Sequence, residues 1–178
     1  LERLPSIAMF LRLTEICGRN LAEVWSGRVS ALQVLFSDEG AALMEDNYQF
    51  NEISRYGNRR CQRIVLEHIA QFPDNRPIRI LEVGAGTGGT TANLLPLLPP
   101  LRTEYWFTDV SPYFVSRAED RFRDYEFVRY RTLNLGVSLA DQGIPESYFD
   151  FVLAADVLHS VSDIRAAVDC CHQALVAG

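Results

Sequence analysis

The sequence predicts an α/β protein, a doubly wound parallel sheet with a helical subdomain in front of it. Three observations carry that expectation. From Ile78 onward, short apolar runs alternate with amphipathic stretches, whereas before it apolar residues recur at helical spacing. The first apolar run, RILEV, empties into GAGTGG, four glycines within six positions. The chain of 178 residues is 48% hydrophobic, enough to bury a core. We expect residues 1–75 to be the helical part and residues 76–178 the α/β part, with PDNRP marking the boundary.

Each element follows from local pattern. Ile7, Phe10, Leu11, Leu13 and Ile16 form one helical stripe, and Ile64, Val65, Leu66, Ile69 and Phe72 a second. Between them FSDEGAALMEDNYQFNEISRYGNRR is polar and interrupted by glycine, so it reads as a loop with short helices that offers Tyr48, Phe50 and Tyr56 for burial or ligand contact. Residues 78–83 form the first strand, followed by a helix to about Leu98 that Pro99 and Pro100 stop. EYWFTDV is the second strand. SPYFVSRAEDRF is the next helix, with Ser111 as N-cap and Pro112 at its first position. A third strand lies near EFVRYRTLNL, FDFVLAADVL is the fourth, and DIRAAVDCCHQALV closes as a helix.

Composition removes several function classes. The net charge of −6 argues against a nucleic-acid partner, since phosphate binding rests on a basic surface. No apolar run approaches the roughly 18 residues of a membrane span, and charges interrupt the N-terminus, so a cytoplasmic protein without a membrane partner is expected. Cys17, Cys61, Cys170 and Cys171 lack metal-ligand spacing; we expect no metal and no disulfide. All 17 basic residues are arginine, which excludes Schiff-base, P-loop-lysine and Tyr/Lys chemistry by this chain.

The glycines point to a ligand. A strand that ends in Gly84, Gly86, Gly88 and Gly89 and opens a helix brings bare backbone and helix N-terminal N–H groups against an anionic group. Gly84, Gly86 and Gly89 also fit GxGxxG, and Asp109 closes the second strand about 20 residues on, where a carboxylate accepts from ribose hydroxyls. These features indicate an adenosine ligand without choosing between NAD and S-adenosylmethionine (SAM). The alternative is structural, with glycines serving a tight turn and Asp109 capping the next helix.

Glu82, two residues before the first glycine, completes E-x-G-x-G-x-G with Gly88 as third glycine, a pattern that resembles motif I of class I SAM-dependent methyltransferases. ILEVGAGTGGTT, FTDVSPYFVSRAEDRF and YRTLNLGVSLADQGIPESYFDFVLAADVLHSVSDI together resemble the successive motifs of the C-methyltransferase domains of modular polyketide synthases. LAEVWSGRVSALQVLFSDEG and NYQFNEISRYGN resemble that family's N-terminal lid, so the likeness covers almost the whole chain.

The resemblance implies SAM as cofactor, with Gly84, Gly86 and Gly88 bordering its methionine part, Glu82 supporting that end, and Asp109 holding the ribose. Asn134 and Leu135 fall beside the adenine, where the family often has an acidic residue before an aliphatic one; the amide oxygen of Asn134 can still accept from the adenine amino group. Asp156 stands where asparagine is expected, and either attracts the sulfonium or caps the following turn. His159 matches the family's general base. Its glutamate partner in the family has no counterpart in this chain. Tyr48 and Asn58 match the lid's tyrosine and asparagine, which contact acyl chain or cofactor; a core tyrosine and a helix-capping asparagine are the alternative. Arg55, Arg59, Arg60 and Arg63 follow at helical spacing, either as a solvated face or as a contact for phosphopantetheine or an acidic acyl carrier protein.

The implied reaction is C-methylation at the α-carbon of a carrier-bound β-ketoacyl thioester. The readings beside it are O-methylation, a nicotinamide-dependent reductase disfavoured by Glu82, Gly88 and the missing lysine, and a non-catalytic SAM-binding remnant. The family sheet has seven strands in the order 3-2-1-4-5-7-6. This chain supplies four, so we expect a larger domain, truncated here after the fourth strand. A further segment, a neighbouring synthase domain or another chain would then cover the edge from Phe149 to Ala155, or the lid would fold over it.

Overall fold

Strands β1 (Ile78–Glu82), β2 (Thr103–Asp109), β3 (Val128–Thr132) and β4 (Phe151–Leu153) form one parallel sheet in the order β3-β2-β1-β4. This is a computed structural model, and it describes residues 5–35, 37, 39–40, 43 and 52–177. The helices are α1 (Pro5–Trp25), α2 (Ala31–Leu35), α3 (Glu52–Ile69), α4 (Gly89–Leu94), α5 (Pro112–Arg121) and α6 (Ile164–Ala174). The chain divides into two compact units, residues 1–59 and 60–178. The sequence boundary at residue 75 falls inside the second unit, because Val65, Ile69 and Phe72 already pack into its core.

Within the first unit, Ser30 and Gln33 begin α2 with a reciprocal capping box: Gln33 N donates to Ser30 Oγ at 3.1 Å and Ser30 N to Gln33 Oε1 at 2.9 Å. Of the first helical stripe Ile16 is buried, but Phe10 and Leu11 are exposed, and the side chain of Ile7 lies outside the description. Tyr48 and Phe50 lie outside the described residues.

In the second unit the strand period of two sorts side chains between two cores. Ile78 and Ile80 of β1 join Tyr105 and Phe107 of β2, Leu94 and Leu95 at the end of α4, and Val65 and Ile69 of α3. Leu81 and Val83 face the other way, against Leu133, Leu139, Phe149 and the inner side of α6 at Ala167, Cys170 and Ala174. Asp150 ties the entry of β4 to that of β1, accepting from Arg79 N at 2.8 Å and from Arg76 Nη2 at 2.7 Å.

Three elements differ from the expectation. Helix α3 begins at Glu52 and runs unbroken to Ile69, through the end of the stretch read as a loop with short helices. Helix α4 ends at Leu94 and passes through 3-10 turns at Leu95–Leu97 and Pro100–Arg102, since Pro96 and Pro100 lack the N–H that further turns of α-helix need. The fourth strand keeps only Phe151–Leu153 of FDFVLAADVL. Ala154, Val157 and Leu158 pack on the second core from a turn, which Asp156 enters with φ 57. Past α6, Val176 N donates to Phe149 O at 2.9 Å and Leu175 bridges Phe149 in parallel, so the chain's own segment covers the first residue of the expected open edge.

Candidate functional site

Because β2 and β4 lie on opposite sides of β1, the chain reverses direction across the sheet there, and ligands of open α/β sheets sit outside the carboxyl ends at such a switch point. A cavity of about 480 Å³ occupies that position. Each of the four strands contributes to its wall: Gly84 after β1, Asp109 and Val110 at the end of β2, Leu133 to Gly136 after β3, and Asp156, Val157 and Ser160 to Asp163 after β4. Five sequence-predicted site residues therefore converge, namely Gly84, Asp109, Asn134, Leu135 and Asp156. Glu82, Gly86, Gly88 and His159 are not in the cavity wall.

The glycine loop explains part of that division. Gly84 and Gly86 have φ of 60 and 55, which L side chains rarely adopt. A Cβ on Gly84 would lie 2.1 Å from Val157 Cγ2, so the loop packs under the β4 turn only without a side chain. At Gly86 the nearest atom to an added Cβ would be its own loop's Gly84 O at 3.9 Å, which leaves that backbone open to approach. Glu82 is buried behind the loop, where its Oε2 accepts from Tyr105 Oη at 2.6 Å and from Thr91 Oγ1. Burial pushes its pKa up to about 7, helped by the charge of Asp109 and opposed by the two hydroxyl bonds. Glu82 thus ties α4, the helix that follows the loop, to β2.

Asp109 is the best-defined polar group of the cavity. It is buried, and both oxygens are engaged by backbone: Gly86 N donates to Oδ2 at 2.9 Å and Ser111 N to Oδ1 at 2.8 Å. Each oxygen keeps a second lone pair, so a pre-oriented acceptor remains for a ligand diol. Ser111 holds the N-cap position of α5 but makes no side-chain cap bond; the neighbouring carboxylate takes its N–H instead.

On the opposite wall Asn134 Oδ1 accepts from Gly136 N at 2.9 Å, and Leu135 is buried. Sequence reading missed Gln142 here. It accepts from Asn134 N at 2.7 Å and donates to three carbonyls, those of Asn134, Val137 and Ser138, at 3.0, 2.9 and 3.1 Å. All its partners are backbone atoms, which leave no mark on side-chain pattern.

Asp156 and His159 stand at the cavity rim. The 3-10 turn Leu158–Ser160 brings His159 Nδ1 to 3.5 Å from Asp156 Oδ1, with both side chains about 70% exposed. Asp156 lines the cavity and also sits beside the histidine. Asn58 is buried on α3, and Tyr48 lies outside the described residues. Cys17, Cys61, Cys170 and Cys171 are free thiols. Among the described residues no helix is long and apolar enough to cross a membrane, and no three His, Cys, Asp or Glu side chains gather as metal ligands.

Comparison with known proteins agrees with this geometry. A methyltransferase domain family matches residues 81–178. Polyketide synthase ThaG of Burkholderia thailandensis is 40% identical over 164 residues, which cover 90% of this chain and 3% of that synthase. The crystal structure of the CurJ carbon methyltransferase superposes with a TM-score of 0.94 at 34% identity, covering 100% of this chain and 47% of its own. The trans-methyltransferase CalH, solved in complex with SAH, superposes at 0.78 with 30% identity, covering 98% and 48%. This chain therefore spans about half of those solved chains and a few per cent of the synthase.

Proposed function

We propose, on the premise that this chain belongs to the methyltransferase domain family, a specific reaction for it: C-methylation at the α-carbon of a β-ketoacyl thioester carried by an acyl carrier protein. The family is SAM-dependent, with the class I fold described above. The observation that carries the reading is Asp109, a buried carboxylate fixed by two backbone N–H groups on the wall of a cavity at the sheet's switch point. Likeness to the carbon methyltransferase of CurJ supports carbon as the acceptor, and likeness to polyketide synthases supports a tethered acyl substrate among neighbouring synthase domains.

Bound SAM supplies an electrophilic methyl group, and its transfer leaves S-adenosylhomocysteine (SAH). In this reading Asp109 accepts from the ribose hydroxyls while Gly84 and Gly86 let backbone approach the amino-acid end. Leu135 and Asn134 border the adenine. His159 removes the proton between the two carbonyls, an acidity within reach of an imidazole near neutrality, and the resulting enolate carbon forms the new C–C bond. Asp156 Oδ1 lies 3.5 Å from Nδ1 of that histidine. Tyr48 and Asn58 are proposed to contact the acyl chain or cofactor.

Mass spectrometry of a β-ketoacyl carrier protein incubated with SAM and the intact protein tests the proposal. The expected product gains one methyl group, located on the α-carbon by fragmentation. A methylated oxygen would overturn the carbon assignment, and an unmodified acyl chain would overturn catalysis.

A further inference from the structure

Between the end of β3 and the 3-10 turn Ala140–Gln142, the loop that forms one wall of the cavity carries no regular structure of its own. Leu135 and Leu139 anchor it in the second core, and one half-buried side chain bonds its backbone. The Gln142 amide spans the loop like a missing strand, accepting from Asn134 N and donating to the carbonyls of Asn134, Val137 and Ser138 at 2.7 to 3.1 Å. A second tie, Asn134 Oδ1 with Gly136 N at 2.9 Å, lies inside the same loop. Of the wall residues, Asn134 is bonded directly to this amide and Gly136 to Asn134, while Leu135 is held by its burial in the second core; the amide does not itself line the cavity.

We propose that Gln142 is a positioning residue for cofactor affinity: it holds the loop 134–138 in the shape that receives the adenine side of SAM. The inference rests on the placement of SAM given under Proposed function. Only a carboxamide does this work, since it combines one acceptor with an N–H₂ group able to serve several carbonyls at once. Alanine removes all four bonds. Glutamate keeps the acceptor for Asn134 N but sets a negative oxygen against three carbonyl oxygens. A loop that holds the competent shape about one tenth of the time raises the apparent dissociation constant about tenfold, with no change in the chemical step once the site is saturated.

The test is calorimetric titration of SAH into the intact protein and its Gln142→Ala and Gln142→Glu forms, together with thermal unfolding, turnover and amide hydrogen exchange. The expected result is about tenfold weaker SAH binding in the alanine form and at least as large a loss in the glutamate form. Turnover at saturating SAM stays unchanged, and exchange quickens at Gly136 and Val137 but not in β1 and β2. Wild-type affinity in both variants overturns the proposal, and so does unaltered exchange in the loop. Loss of the cooperative fold in either variant also overturns it, because Gln142 would then hold the core instead of the wall. Absence of SAH binding in the wild type would overturn the SAM placement itself, a different outcome from binding that the variants leave unchanged.

Discussion

Asp109 is oriented before any ligand arrives, and its two backbone bonds explain why a short carboxylate and not a longer one ends β2. In the proposed placement of SAM, replacing it with alanine removes charge-assisted bonds to the ribose, each roughly 1.5–3 kcal/mol, and it frees the Gly86 N–H. Asp109→Ala is therefore expected to weaken SAM binding by at least an order of magnitude in calorimetry, and unchanged affinity would take Asp109 out of the site. His159→Ala is expected to act the other way. Outside the cavity wall and largely exposed, it should leave SAM affinity intact while turnover falls by about 10² to 10⁴; full turnover in that variant would make His159 structural. Asp109 was legible in the sequence because strand length and the glycine turn fix its distance from Gly86. The surroundings of Glu82 were not, because Thr91 and Tyr105 reach it from an adjacent helix and strand.

Among the elements, α3 carries an arginine face that its burial pattern does not require. Arg55, Arg59 and Arg63 repeat every four residues, all exposed, and no acidic residue lies between Glu52 and Glu67 in a chain of net charge −6. The Arg63–Glu67 pair at 3.7 Å is solvent-exposed and contributes little. If this face meets an acidic carrier protein, Arg59→Glu with Arg63→Glu should raise KM for the acyl carrier several-fold at low salt and less at high salt, with SAM affinity unaltered. Steady-state kinetics over an ionic-strength series measures it, and a salt-independent KM equal to wild type would remove α3 from the docking surface. Strands β1 to β3 and the second half of α3 were readable because period and breakers coincide in them, whereas Glu52 to Arg60 was read as part of a glycine-interrupted loop although the helix runs through Gly57. Strand β4 was overread: Ala154 to Leu158 is apolar enough for a strand, yet it packs on the second core as a turn.

At the scale of the whole molecule, the buried Glu82 makes stability depend on pH. Its folded pKa near 7 exceeds the ordinary 4.5, so the folded state holds the proton more tightly than the unfolded chain. That contribution is fully present below about pH 4.5 and is lost as pH rises through about 7, a change of the order of 3 kcal/mol from the two pKa values. Glu82→Gln keeps an acceptor for Thr91 and Tyr105 and should flatten this component. Urea unfolding at about pH 5 and about pH 8 compares the two proteins, and equal slopes would show that Glu82 titrates normally. What the sequence alone determined is the α/β class, the order of elements and an adenosine-type glycine turn, because these rest on spacing along one strand or one helix; SAM itself came from the resemblance of that motif to a known family. Tertiary structure decided which motif residues reach the cavity, why Glu82 lies beneath the loop, and how Gln142 holds the far wall. Those outcomes depend on which segments the sheet's crossover packs together, and residue spacing carries no record of that.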